Sequence, residues 1–364
     1  MNDQTDQAFG FEGSWREFAP IAFTNLLLTI VTLGVYRFWA TTRTRRYLWS
    51  RTRFIDERLE WTGTGLELLI GFLIVLVLFG IPFLFLNFGM QAMVLRGQAP
   101  LAGALGTLSF AVIFYLAGVA RLRMLRYRLS RTWWHGIRGG SNDKGWAYGW
   151  SYVWRNIVGW MALGLLIPWS MTSLWNDRWN AMSFGPHRFR AAAMPGQIFR
   201  RFLLFYIVPF LLLLLGIYAG VQGAFYEFKP ASSDAGGDSS PFPVALLLFF
   251  FLIALFFYIV LPLIALAYYA KFFRVAVSSM SLSTLDFQFS ARTKDWLKLI
   301  LGDIALVVLT LGIGLIFLSY RHWKFFIVHL DASGEISLSA LTQSSTDAPG
   351  QGEGLADAFD IGAI

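Results

Sequence analysis

The chain has 364 residues, 56% of them hydrophobic and only 14% charged, where soluble domains carry roughly 25% charged residues; with a mean hydropathy of +0.55 an ordinary soluble globular protein is excluded. The net charge of +8 comes from Lys and Arg clustered beside apolar runs, where they set topology and meet anionic headgroups and not nucleic acid. The chain contains no cysteine, which excludes disulfides, thiolate metal sites and Cys nucleophiles.

From the N-terminus, Met1 to Gln7 is polar and acidic. No basic region precedes an apolar stretch there, so a cleavable signal peptide is not expected. A motif then runs from Phe11 through Asn25 and Thr32-Leu33-Gly34 to Trp39 and the basic residues Arg43, Arg45 and Arg46. It returns at the other end as Phe289, Asp303, Thr310-Leu311-Gly312, Phe317, Arg321 and Lys324. Phe to Gly spans 23 residues in both copies, with the polar residue nine before the Gly. A looser middle copy holds Asn156, Ala162-Leu163-Gly164, Trp169 and Arg178.

After the first copy, Phe54 to Trp61 reads as a strand ending in Thr62-Gly63-Thr64-Gly65. Glu67 opens the first long apolar run, where an N-terminal carboxylate suits the helix dipole. Residues 68–88 and 97–120 form one transmembrane hairpin, closed by the run Arg121, Arg123, Arg126, Arg128 and Arg131, a positive-inside anchor that also recruits anionic lipid. Residues 202–226 and 241–270 form a second hairpin, with a flexible acidic loop around Asp234. Each run exceeds the ~20 residues that cross a ~30 Å hydrocarbon core. Met182 to Arg190 with its Gly185-Pro186 turn, Leu285 to Phe289 with period-two alternation, and Trp323 to Leu330 complete the expected strands.

If the three motif copies each crossed the membrane, the Arg-rich stretch from Arg178 to Arg201 would face outward. If they dip in and return, all 30 Lys and Arg except Arg96 and Lys229 fall on the cytoplasmic side, as the positive-inside rule requires. Eleven residues separate Asn25 from Arg37, roughly 16 Å of helix at ~1.5 Å per residue, about half a membrane. The expected fold is therefore an all-α polytopic membrane protein: two full transmembrane hairpins, three short re-entrant hairpin units and a small cytoplasmic β layer. The organisation follows as 1–130 (first unit and hairpin 68–88/97–120), 131–275 (second unit and hairpin 202–226/241–270), 276–340 (third unit) and a disordered tail, 341–364. Both termini are expected in the cytoplasm.

The runs Phe11 to Phe18, Asn25 to Trp39, Arg45-Arg46-Tyr47-Leu48-Trp49, Glu60 to Gly65 and Thr132 to Arg138 together resemble the YjgN-like family of bacterial inner-membrane proteins. The resemblance covers most of residues 9–330. It implies a multi-pass protein of the bacterial cytoplasmic membrane and transfers no catalytic residue.

Polar groups inside apolar spans are the default functional candidates. Asp303 stands first; its motif partners Asn25 and Asn156 cannot carry protons, and the structural alternative is that all three brace the break in the hairpin. Arg37 snorkels to the interface or holds a lipid phosphate. His135, His187, His322 and His329 lack metal-ligand spacing, and Trp39, Trp49, Trp133, Trp134, Trp169 and Trp175 read as an aromatic belt. With no P-loop, GxSxG or HExxH motif, no enzyme, cofactor or metal is expected. Repeated broken helices line solute paths in transporters, so a transporter- or channel-like protein for a lipid or small amphiphile leads. A non-transporting scaffold or assembly factor binding partners or anionic lipid is the alternative. Membrane lipids are the expected partners, and the sequence names no protein partner.

Overall fold

The structure, a computed structural model, describes residues 7–227, 242–335 and 342–347. It divides into two compact units, 1–193 with 276–290 and 298–364, and 194–275 with 291–297.

The first unit opens with β1 (Phe9–Phe11), α1 (Trp15–Val31) and α2 (Arg37–Ser50), followed by β2 (Thr52–Phe54), β3 (Glu57–Arg58) and β4 (Glu60–Trp61). Next, α3 (Gly65–Val75) and α4 (Ile81–Leu95) run together through a π-helical turn at Leu76–Gly80. They return through α5 (Ala99–Arg131) to β5 (Thr132–Trp134) and β6 (Ile137–Gly140). The pair α6 (Trp146–Met161) and α7 (Ile167–Asn180) leads to β7 (Ser183–Phe184) and β8 (His187–Ala191). Most of the second unit is α8 (Gly196–Phe202), α9 (Leu204–Glu227), α10 (Phe242–Leu255) and α11 (Leu261–Ser278). There Gly216 of α9 lets the Phe249 ring of α10 approach; a Cβ on that glycine would meet it at 2.3 Å. The chain then re-enters the first unit with β9 (Met280–Leu282), β10 (Leu285–Phe289), α12 (Thr293–Leu309, its residues 293–297 in the second unit), a 3-10 turn at Ile313–Phe317, α13 (Leu318–His329) and β11 (Leu330–Ser333).

Most of the described chain is helical, and four helical runs, Gly65–Leu95, Ala99–Arg131, Gly196–Tyr218 and Phe249–Ser278, are long and apolar enough to cross a membrane. The expected all-α class is corrected by the strands. Those from β4 to β11 form one eight-stranded sheet in unbroken chain order, while β1, β2 and β3 form a three-stranded one. All pairings are antiparallel. Connections alternate between tight turns (Ile55-Asp56, His135-Gly136, Gly185-Pro186, Ser283-Thr284) and helical excursions. In an antiparallel meander, alternate connections fall on opposite rims, so the turns share one rim and the helices of the first unit leave from and return to the other. Ile55, His135, Gly185 and Ser283 all take positive φ, the hand that matches the right-handed twist of a hairpin.

The sheet curls. The Ala8 backbone N–H donates to the Asp331 carboxylate at 3.0 Å, tying the chain beside the first strand to the last one. Inside the curl lie aromatic rings from five strands. Phe54 stacks on Phe9 at 4.5 Å and meets Trp134 at a tilt at 4.8 Å, and Phe287 lies 6.3 Å from both Phe9 and Phe189. A second core, where the helices meet the sheet, joins Phe18, Tyr47, Leu48, Trp49, Trp61, Leu68, Tyr127 and Tyr320.

These cores correct two further expectations. Trp49, Trp134 and Trp175 are buried, with Trp49 Nε1 donating to Thr132 and Trp134 Nε1 to the Phe54 carbonyl. All three are packing residues, the first two with satisfied indole N–H groups, and not members of an interfacial belt. Residues 323–329, expected as a strand, continue α13, because Phe325 to His329 carry their aromatic rings at helical spacing onto Phe289 and each other. The acidic loop around Asp234 lies outside the described residues, as does the tail 341–364 except for 342–347. There Gln343 accepts from the Arg138 backbone N–H at 3.1 Å and donates to the Gly136 carbonyl at 2.9 Å.

Candidate functional site

Three helix pairs of the first unit, α1–α2, α6–α7 and α12–α13, turn at a Leu-Gly step in which both residues have positive φ: Leu33 and Gly34, Leu163 and Gly164, Leu311 and Gly312. Leucine in the left-handed region costs roughly 1–2 kcal/mol. These leucines make up for little of it through protein contacts, being 95%, 85% and 94% exposed. Burying a leucine in an apolar medium is worth roughly 1.5–3 kcal/mol, enough to offset the strain if each tip sits in hydrocarbon. The backbone at the tips is served internally. Gly34 N donates to Thr29 O at 2.7 Å and Gly312 N to Val307 O at 2.8 Å, the 6→1 closure of a Schellman motif. Thr32 and Thr310 each donate back to a carbonyl four residues earlier and accept from the amide four residues later, Tyr36 and Gly314. Such internal satisfaction is what a membrane interior would demand of a turn. Ala162 has no hydroxyl, and the middle tip lacks this brace.

Nine residues before each tip glycine, one polar group crosses to the returning arm. Asn25, buried, donates to the Ala40 carbonyl at 3.2 Å and to Thr44 Oγ1 at 3.3 Å. Asp303 accepts from Arg321 Nε at 2.6 Å through one oxygen and meets His322 Nε2 at 2.7 Å through the other. In the middle pair the residue at this position is Arg155, ion-paired with Asp177 at 2.6 Å. Asn156, the sequence candidate, only donates to the Tyr152 carbonyl of its own helix. Counting back from Gly164 would have found Arg155. The three positions carry an amide, a cation and an anion, so what they share is the brace and not a titrating group.

Glu67 fills the third position of α3 under the Thr64 cap, and its carboxylate accepts from Tyr127 OH at 3.0 Å and Arg131 at 2.9 Å. It ties the start of one long helix to the end of the next. Arg37 lies 5.6 Å over the Phe38 ring just past the first tip. Of the basic candidates, Arg43, Arg46 and Arg121 are exposed and Arg123 and Arg128 half-buried. Arg45 and Arg126 are turned inward, 7% and 4% exposed, Arg45 over the Trp61 ring at 5.1 Å and Arg126 donating to the Asp143 carbonyl. Among the described residues no three metal-binding side chains converge.

Sequence reasoning did not find a groove of about 540 Å³ along the last hairpin, open at the surface and lined by side chains of α12, α13, the 3-10 turn between them and Trp15. Chain direction orders its lining. Leu306 and Phe317 lie toward the tip, Tyr320 and Arg321 in the middle, and Lys324, Val328 and His329 toward the sheet. Trp15, Leu299 and Phe325 also line the sheet end, so the groove is apolar along its length with the Lys324 cation toward the sheet, a form that suits an anionic amphiphile. Lys324 is exposed at its mouth.

The sequence matches the family described as "Bacterial protein of unknown function (DUF898)" over residues 6–358. Its curated relatives include the inner membrane protein YjgN of Escherichia coli O157:H7, 29% identical over 136 residues (37% of this chain, 31% of that protein). The K12 protein of the same name is 29% identical over 163 residues (45% and 37%), and the Salmonella typhimurium LT2 protein 26% identical over 149 residues (40% and 35%). The matched stretch thus spans about a third of the length of these relatives. No solved structure matches.

Proposed function

The chain belongs to the DUF898 family, and from that premise we propose a multi-pass protein of the bacterial inner membrane whose last hairpin binds a phospholipid or similar anionic amphiphile. The curled sheet stands on the cytoplasmic face, as the placement of Lys and Arg requires. Four runs cross the bilayer, and three Leu-Gly hairpins dip into its near leaflet and return. The hairpin arms support this depth: α1, at 17 residues, is about 25 Å long, and part of that stands beside the sheet.

The observation that carries the binding reading is the groove itself, apolar from Leu306 and Phe317 to Phe325 and Val328, with the Lys324 cation toward its sheet end. In the dipping topology its tip end lies among acyl chains and its sheet end at the headgroups. Asp303 supports a binding or scaffold role over proton-coupled transport, since both its carboxylate oxygens are engaged by Arg321 and His322.

The test is photo-crosslinking of the full chain in lipid nanodiscs with a diazirine-bearing anionic phospholipid. Label should concentrate on peptides of α12 and α13, and Leu306→Trp, which fills the groove, should lower it about tenfold, the effect of ~1.4 kcal/mol. Label spread evenly over the long apolar helices, unchanged by Leu306→Trp, would sink the reading.

A further inference from the structure

The second unit carries a concentration of positive charge of its own. Arg201 of α8 is pinned, Nη1 donating to the Ala267 carbonyl at 2.8 Å and to Thr293 Oγ1 at 3.0 Å. Lys271 and Arg274 follow Ala267 by four and seven residues on α11, which places all three on one helix face. Arg201 stands within electrostatic reach of both Lys271 and Arg274, and Arg292 of Arg274; the acid facing Arg274 is Asp295. That carboxylate already accepts the Arg292 backbone N–H at 2.8 Å, where it serves the start of α12. The Arg274 Nε is enclosed without a hydrogen-bond partner among the described residues.

Like charges held this close repel one another, and a buried guanidinium N–H lacking an acceptor loses the hydration it would have in water. A phosphate answers both, supplying negative charge and several acceptor oxygens. The position selects its source. The apolar run from Gly196 begins here and the run to Ser278 ends here, so the cluster stands at a membrane surface. Phe202 and Tyr268 are buried next to it, and the exposed rings of Tyr206 and Tyr269 pack on them at 5.7 Å and 5.5 Å. A lipid places a phosphate above and a glycerol and acyl chains beside such rings, whereas free phosphate has no use for them. We propose that Arg201, Lys271 and Arg274 form a headgroup site that holds the phosphate of an anionic glycerophospholipid.

This site is independent of the groove on the last hairpin. The full chain is incorporated into nanodiscs of mixed phosphatidylglycerol and phosphatidylcholine and re-extracted in mild neutral detergent, and the lipid that stays bound is weighed by mass spectrometry. Wild type should retain phosphatidylglycerol well above the bulk ratio. Lys271→Gln with Arg274→Gln should remove a share of that enrichment which Lys324→Gln, at the groove, leaves in place, and the losses should add in the triple variant. Lys271→Arg with Arg274→Lys, which keeps both charges, should retain the share and shows that the effect is not misfolding. Loss only with Lys324→Gln would overturn this site while sparing the groove; loss only with the Gln pair would do the reverse. If inorganic phosphate displaces the lipid fully, at an ionic strength where chloride does not, the lipid assignment is overturned in favour of a free anion.

Discussion

Asp303 and Arg321 meet at 2.6 Å across the two arms of the last hairpin, with the carboxylate largely enclosed at 13% side-chain exposure. The arms are only helix-and-turn deep, so this contact and its His322 partner fix how they cross and thereby the width of the groove beside them.

Asp303→Ala should therefore destabilise the chain by about 1.5–3 kcal/mol, the scale of a hydrogen bond to a charged group. Asp303→Asn, which keeps one acceptor for Arg321, should cost less. Thermal unfolding in detergent checks the order. A double-mutant cycle with Arg321→Gln should return a coupling above about 0.5 kcal/mol. Equal stability of all variants would show that the brace carries no load.

Cysteines at Leu33 and Leu311 should resist an aqueous maleimide from either side of intact cells and react once the membrane is dissolved. Ser50→Cys, at the exposed end of α2, should react only from the cytoplasmic side. Labelling of a tip from the periplasm would show that the hairpin crosses the membrane. With no native cysteine, the chain needs no prior substitution.

At the turn rim of the sheet, the hydrogen bond with His135, 3.0 Å away, holds the Asp56 carboxyl below the usual carboxylate range. A depressed folded-state pKa contributes stability that is present above the unfolded value of about 3.9 and lost as pH falls through the folded one. Asp56→Asn should thus be slightly less stable than wild type near neutrality, with the gap closing only below about pH 4. Asp56 is well exposed, so the gap should stay within the 0–1 kcal/mol of surface pairs. A gap that closes between pH 5 and 7 would assign the dependence to another group.

Trp134, 1% exposed, fills the interior of the curl and donates to the Phe54 carbonyl at 3.0 Å. Trp134→Ala should cost about 3–5 kcal/mol, and Trp134→Phe much less, near the ~1 kcal/mol of a single hydrogen bond. Urea unfolding followed by near-ultraviolet dichroism would report it. A neutral Trp134→Ala would mean that the rings do not support the sheet.

The long helices were legible because length and hydropathy alone define them, although the ends shifted: the first run starts at Gly65 and not at residue 68, and the second extends to Arg131. The strand Leu285–Phe289 was legible because five residues suffice to show alternation. The pairs β5–β6 and β9–β10 mostly were not. Strands such as Thr132–Trp134 and Met280–Leu282 are three residues long, and their turns, His135-Gly136 and Ser283-Thr284, include positive-φ positions held by residues that do not announce them. At the candidate site, Asp303 and Asn25 were visible as polar residues in apolar runs. Arg155 was visible at the edge of an apolar stretch, although the motif's polar position reads as its neighbour Asn156, and Arg321 and Lys324 were visible as motif residues without a site. What made them a groove is the side-by-side return of α13 along α12, which no spacing in either segment encodes.

Because each strand from β5 to β11 pairs with the one made just before it, the sheet can be assembled in the order in which the ribosome delivers it. Each helical excursion can enter the bilayer while its two flanking strands, left behind at the surface, zip onto those already present. Closure alone must wait, since the Ala8 amide finds Asp331 only after more than three hundred residues have followed it. A nascent chain halted before β11 would hold an open sheet with a bare edge and an uncovered aromatic lining, the form that quality-control proteases recognise.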